Sequence, residues 1–180
     1  VEDMQLLLNP PGSAGPITLG MPFDEAANLL RQVDGYRQPQ PGKWVNTGYF
    51  HYESGLTLSI GQDRAGLVDV MEVWRPSEGV VVMFQDISLF ELPADEVARR
   101  LATVARVEIE DNGSAVVAPD LLLALWRPGI PDDPEDFEGM FFQSALVAAP
   151  GYYDRPADRF TEVQVETPRE RQIDGQEPLF

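Results

Sequence analysis

Two stretches of this chain repeat one another. The first is Ile17-Thr-Leu-Gly-Met-Pro-Phe-Asp-Glu-Ala-Ala-Asn-Leu-Leu30, and the second is Ile87-Ser-Leu-Phe-Glu-Leu-Pro-Ala-Asp-Glu-Val-Ala-Arg-Arg-Leu101. Each is followed downstream by Trp-Arg-Pro, at residues 74–76 and 126–128. A duplicated unit constrains architecture strongly, because both copies must fold in much the same way. It names no chemistry.

The copies align at an offset of 71: Pro22 with Pro93, Asp24-Glu25 with Asp95-Glu96, Ala26 with Val97, Ala27 with Ala98, Leu30 with Leu101 and Val33 with Val104. Each reads as a helix. Proline suits a first helical turn, where its missing N–H costs nothing. The adjacent carboxylates favour the positive end of the helix dipole. Phe23, Ala26, Ala27, Leu30 and Val33 then fall on one face, and Gly35 stops the first helix.

Strands are expected after each helix. In the first copy they are 44–52, 56–60, 67–74 and 80–84 running on toward Leu89. Alternation at Leu56, Leu58 and Ile60 against Thr57 and Ser59 suits a sheet with one wet face. In the second copy they are 107–110, 115–118, 121–126 and 140–147, with Asp111-Asn112-Gly113 as a tight turn. Trp74 to Trp126 is only 52 residues against the offset of 71 at the helices, so the second copy lacks 19 residues between helix and third strand. Phe84 to Phe142 is 58, so it regains 6, in the acidic stretch Gly129–Gly139. The organisation read from these offsets is an N-terminal strand and loop (1–16), unit 1 (17–86), unit 2 (87–150), and a segment with an edge strand at 160–165 and a mobile polar tail (151–180).

Charge and composition narrow the chemistry. Thirty acidic residues against 13 basic ones give a formal charge of −17. That field repels phosphate backbones, which argues against nucleic acid; the plain reading is that it keeps the protein soluble, and any partner is expected to be basic. There is no cysteine, so disulfides, zinc-thiolate sites and thiol nucleophiles are excluded. No apolar run reaches the roughly 20 residues of a membrane span. Val1-Glu-Asp-Met-Gln lacks the basic start of a secretory signal, so a cytoplasmic location is expected, with a signal removed ahead of Val1 left open. Lys43 is the sole lysine, which together with abundant Ala, Gly and Pro fits a GC-rich bacterial genome.

Several residues are candidates for function. His51, the only histidine, sits in the strand pattern Tyr49-Phe-His-Tyr-Glu53. A triad or metal site needs such a residue beside a nucleophile or further ligands. The plainer reading is a hydrogen-bonded or exposed sheet histidine. Asp132, Asp133, Glu135, Asp136 and Glu138 make the acidic loop, but their spacing is not that of a calcium-binding loop. A solvated loop, or a contact for a basic partner, suits them better. Tyr36, Arg37, Trp44, Tyr49 and Tyr52 form an aromatic-rich stretch that is either a recognition face or a set of half-buried strand aromatics. In the two Trp-Arg-Pro motifs the structural reading puts Trp at the core edge, Pro as a strand stop and Arg at the surface. An interface role is the alternative, since Trp and Arg are enriched in hot spots. The glycines at 61 and 66 flank no Lys-Ser/Thr, so they make no phosphate loop. No catalytic residue, metal ligand set or cofactor is indicated.

Gly20-Met21, opening a helix that leads into antiparallel strands, resembles the start of each repeat in the beta-lactamase inhibitor protein family. It is also similar to the small outer-membrane assembly lipoproteins that share this opening. The resemblance to the inhibitor family implies two tandem helix-plus-four-strand units whose joined concave sheet binds a protein. The second copy departs, with Phe90-Glu91 where Gly-Met would stand, and the family's disulfides have no cysteines here.

The expectation is therefore an α+β protein of two tandem pseudo-repeats, each a helix packed on an antiparallel sheet of about four strands. Its expected role is that of a non-enzymatic, acidic protein-binding module, inhibitor- or immunity-type. Two alternatives stand beside it: a small-molecule carrier with a pocket between sheet and helices, and a hydrolase with two carboxylates in catalytic reach. The oligomeric state stays open.

Overall fold

The computed structural model describes residues 4–33, 35–37, 47–50 and 54–153. The chain order is β1 (Met4–Asn9), β2 (Ser13–Ala14), β3 (Ile17–Thr18), α1 (Phe23–Arg31), β4 (Tyr36–Arg37), β5 (Thr47–Phe50), β6 (Thr57–Gln62), β7 (Val68–Trp74), β8 (Val80–Phe84) and β9 (Ile87–Ser88). It continues with α2 (Ala94–Leu101), β10 (Glu108–Glu110), β11 (Ala115–Ala118), β12 (Leu123–Trp126), α3 (Phe137–Met140) and β13 (Ser144–Ala148). The fold is α+β, and no described helix is long and apolar enough to cross a membrane.

Both main helices start where the sequence places them. Pro22 and Pro93 stand at the N-caps, and Asp24, Glu25, Asp95 and Glu96 fill the first turns. Neither cap has a side-chain hydrogen bond, so fixed proline φ and the dipole specify these starts. The helices bury Phe23, Ala26, Ala27 and Leu30, and Ala94, Val97 and Leu101. Val33 and Val104, expected to extend those faces, lie past the helix ends and are exposed. On α2, Arg99 and Arg100 both donate to Glu96, and these hydrogen bonds hold its carboxyl below the usual carboxylate range.

The strands form two sheets. The larger has eight strands in the order β10-β11-β12-β13-β7-β6-β5-β4, every pairing antiparallel. Its two halves meet where β13 pairs with β7, setting Ala145 opposite Val73 and Val147 opposite Met71. The smaller has five strands in the order β3-β2-β1-β8-β9, with β1 and β8 parallel. The expected continuation of the first copy's sheet through 80–89 therefore does not occur. With β7 flanked by β6 and β13, no edge there is left for β8. The chain turns through Gly79 at positive φ, and Met4 N–H donates to the Gly79 carbonyl as β8 joins β1.

The hydrophobic core draws on every layer: Leu8 and Val82 from the small sheet, Leu30 and Leu101 from the helices, Met71 and Leu125 from the large sheet. Strand alternation turns Leu58, Ile60, Met71, Val73, Leu123, Leu125, Ala145 and Val147 into it. The intervening residues turn the other way, where most are half-buried.

Candidate functional site

That outward face is ordered by the strand register. Ser144, in the middle of the sheet, stands opposite Trp126 on one side and Trp74 on the other. Trp74 is 40% exposed and Trp126 is 42% exposed, whereas Ser144 is buried. The same row extends to Ala115 beyond Trp126 and to Thr57 beyond Trp74. The next row runs Val117, Ala124, Leu146, Glu72, Ser59. On the edge strand β10, Glu110 lies opposite Ala115 and Glu108 opposite Val117. Two exposed tryptophans thus flank Ser144 on this face, beside Leu146 and Val117, with carboxylates nearby. Arg106 approaches Glu108 at 3.5 Å, while Glu72 and Glu110 have no ion-pair partner among the described residues. Burial pushes the Tyr153 phenol up, and the charges of Tyr152 and Glu110 add to it, so the chain after β13 runs close to this edge.

The two Trp-Arg-Pro motifs are not alike. Trp74 ends β7, at the seam, and Trp126 ends β12, one strand beyond β13. Arg75 lies over the Phe141 ring at 4.5 Å, and partial burial pulls its guanidinium below the ordinary value. Arg127 is buried, against the expectation of a surface arginine. Its Nε donates to the Gly113 carbonyl (3.0 Å), Nη1 to the Gly139 carbonyl (3.1 Å) and Nη2 to Asp95 Oδ1 (2.9 Å). The turn at 111–113, the acidic loop and the α2 N-terminus converge on it and supply the acceptors that make burial tolerable.

The acidic loop is closed and exposed. Asp132, Asp133, Glu135, Asp136 and Glu138 all face solvent. Asp136 caps α3 by accepting from Gly139 N–H, and Asp133 accepts from Glu135 N–H. A Cβ on Gly139 would meet the Gly129 carbonyl at 2.9 Å, so only glycine lets the loop close there. Among the described residues no group of three or more His, Asp or Glu side chains could hold a metal ion.

Of the aromatic-rich stretch, Tyr36 is in β4 opposite Tyr49 of β5, and Arg37 is opposite Gly48. The Tyr36 side chain packs against the core, and its hydroxyl is buried with no hydrogen-bond partner among the described residues. It is thus half-buried rather than displayed. The side chains of Arg37 and Tyr49, and the whole of Trp44 and His51, lie outside the described residues, as does 160–165. A buried hydroxyl without a partner is a cost that its removal relieves. Tyr36→Phe is expected to leave stability unchanged or raise it by up to about 1 kcal/mol, read by urea denaturation. A loss above that size would show that the hydroxyl is satisfied.

The motifs drew attention to both tryptophans. Their juxtaposition across Ser144 depends on the β13 register, which no local pattern reveals. No family model, curated protein or solved structure matches the chain.

Proposed function

We propose that this chain is a non-enzymatic, acidic protein-binding module of the inhibitor or immunity type, which takes its partner on the outward face of the large sheet. The carrying observation is the pair of exposed tryptophans on the outward face of the large sheet. Trp is the residue most enriched among binding hot spots, since one side chain supplies a large contact area at little entropic cost. The formal charge of −17 favours a basic protein and disfavours nucleic acid.

The same reading takes 17–86 and 87–150 as tandem units of one helix and about four strands. Three features support it: the phrase shared at an offset of 71, the similar helix starts at Pro22 and Pro93, and the runs β4–β7 and β10–β13 on either side of the seam. Such an arrangement is what the resemblance to the beta-lactamase inhibitor protein family implies, with a joined sheet as the binding surface.

The test is a photo-crosslinking amino acid placed at Ala124, on the outward face, and at Asn28, on the exposed side of α1. In extract of the native host, the Ala124 probe should capture one stoichiometric protein whose yield falls as salt rises. The Asn28 probe should not. Equal capture by both probes, or none by the Ala124 probe, would remove the face from consideration.

A further inference from the structure

We infer that Asn112 is a site of spontaneous deamidation, which the grip of Arg127 on the turn at 111–113 keeps latent. The inference is independent of any partner on the outward face.

The turn joins β10 to β11 through a strained backbone. Asp111, Asn112 and Gly113 take φ of 49°, 55° and 94° in succession, so three residues in a row are left-handed. Asp and Asn tolerate that region better than most side chains, yet each still carries strain there. Neighbouring groups hold the turn in place. Arg127 Nε donates to the Gly113 carbonyl at 3.0 Å, and Arg127 N–H donates to the Ser114 carbonyl at 2.8 Å. Ile130 packs against Gly113 as well, since a Cβ there would meet its Cδ1 at 2.7 Å. Gly113 is buried, whereas Asp111 and Asn112 face solvent.

An exposed asparagine ahead of glycine carries its own chemistry. The Gly113 amide nitrogen loses its proton to hydroxide and attacks Asn112 Cγ. The new C–N bond closes a five-membered imide, and the side-chain amide leaves as ammonia. Water then opens the imide. Opening at Cγ gives aspartate, and opening at the backbone carbonyl gives isoaspartate, whose main chain runs through Cβ and Cγ. One water is consumed and one ammonia released, with no change in oxidation state. Glycine is the best successor, because no side chain shields its nitrogen. The other three asparagines are poorer: Asn9 precedes Pro10, which has no N–H, Asn28 lies within α1 ahead of Leu29, and Asn46 precedes the β-branched Thr47.

The fold opposes the first step. Ring closure needs the Gly113 nitrogen beside Asn112 Cγ, on the same side of the Cα–C bond as Cβ. With ψ of 32° at Asn112, that nitrogen lies nearly opposite Cβ. Asn112 must leave its left-handed conformation to react, and the Gly113 carbonyl must then leave Arg127. The rate is therefore set by how often the turn opens. Isoaspartate adds a methylene to the main chain of the turn, so the carbonyl cannot return to Arg127 Nε. The same guanidinium holds the Gly139 carbonyl, so modification at 112 loosens the loop at 129–139.

The test follows the full chain through days in mildly alkaline buffer, with conversion at each asparagine read by peptide-mapping mass spectrometry. Asn112 should convert first, slowly in the folded parent and manyfold faster in the parent unfolded by urea. Arg127→Met should raise the folded-state rate about tenfold, the factor carried by one hydrogen bond to a charged group. Arg127→Lys should raise it severalfold, and it decides the matter if the methionine variant does not fold. Asp95→Asn leaves Nε on Gly113 and should match the parent. The isoaspartyl form, purified from the aged sample, should exchange its amides at 129–139 faster than the parent. Asn112→Asp adds the same charge without the methylene and should not. Conversion first at Asn28 or Asn46, a rate at Asn112 as slow in urea as in the folded chain, or folded Arg127 variants that match the parent would each overturn the inference. Unchanged exchange at 129–139 in the isoaspartyl form would overturn the coupling to the loop.

Discussion

Replacing Arg127 with methionine should lower the unfolding free energy by about 2–6 kcal/mol, since two buried carbonyls lose a donor at about 1–3 kcal/mol each. In a protein of this size that moves the thermal midpoint by roughly 10 °C. The reason lies in what is left behind. Methionine fills much of the volume but donates nothing, so the Gly113 and Gly139 carbonyls lose their side-chain donor in a site that arginine had sealed. Asp95 behaves differently. Its side chain is 84% exposed and can be rehydrated, so Asp95→Asn should cost less than about 1 kcal/mol. Arg127→Lys should fall between, because an ammonium cannot reach three acceptors in the plane of a fork. Hydrogen exchange adds a local signature: amides at 129–139 should exchange faster in Arg127→Met, while α1 keeps its protection. A midpoint within 1 °C of the parent would mean that the three hydrogen bonds do not hold the loop. Arg75 is the internal control. It stacks on Phe141 and carries no comparable set of carbonyls, so Arg75→Met should be mild.

The contrast between these arginines shows where sequence reasoning reaches its limit. Trp-Arg-Pro is the same tripeptide twice, and residue type alone assigns both arginines to the surface. What buries Arg127 is the convergence of Gly113 and Gly139 carbonyls from segments 14 and 12 residues away. Local signals were more readable. Pro followed by paired carboxylates marks both helix starts, and 115–118 is a strand as expected after the Asp-Asn-Gly turn. The strand expected over 121–126 begins only at Leu123, because Leu122 takes a left-handed conformation after a short 3-10 turn at Pro119–Leu121. The strand expected over 140–147 starts at Ser144, because Asp136 caps a helical turn before it. An Asp at an N-cap is a readable signal that the acidic composition of the loop concealed. Strand partnership was not readable at all. The pairing of β7 with β13, and the departure of β8 to join β1, depend on which edges are free once the rest has assembled. The candidate face inherits that limit, since Trp74 and Trp126 become neighbours of Ser144 only through the register of β13.

The seam itself can be broken deliberately. Met71 is fully buried in β7, between Ile60 of β6 and Val147 of β13. Met71→Ala removes side-chain atoms that touch both halves of the large sheet, and a buried truncation of this kind costs about 2–5 kcal/mol. Because the core is shared by both halves, unfolding should remain a single transition with a lower midpoint. Amide protection should fall together in β6 and in β12, on opposite sides of the seam. Two resolved transitions, or protection lost in β4–β7 alone, would mean that the halves are independently stable and merely adjacent. Ile109→Ala sets the scale. Ile109 is 69% exposed on the edge strand β10, so its truncation should cost less than about 0.5 kcal/mol, as surface substitutions usually do. A seam that carries the core's cohesion also holds Trp74 and Trp126 in register across Ser144. Met71→Ala should therefore weaken partner capture at Ala124 under conditions where the chain is still folded, an effect that Ile109→Ala should not share.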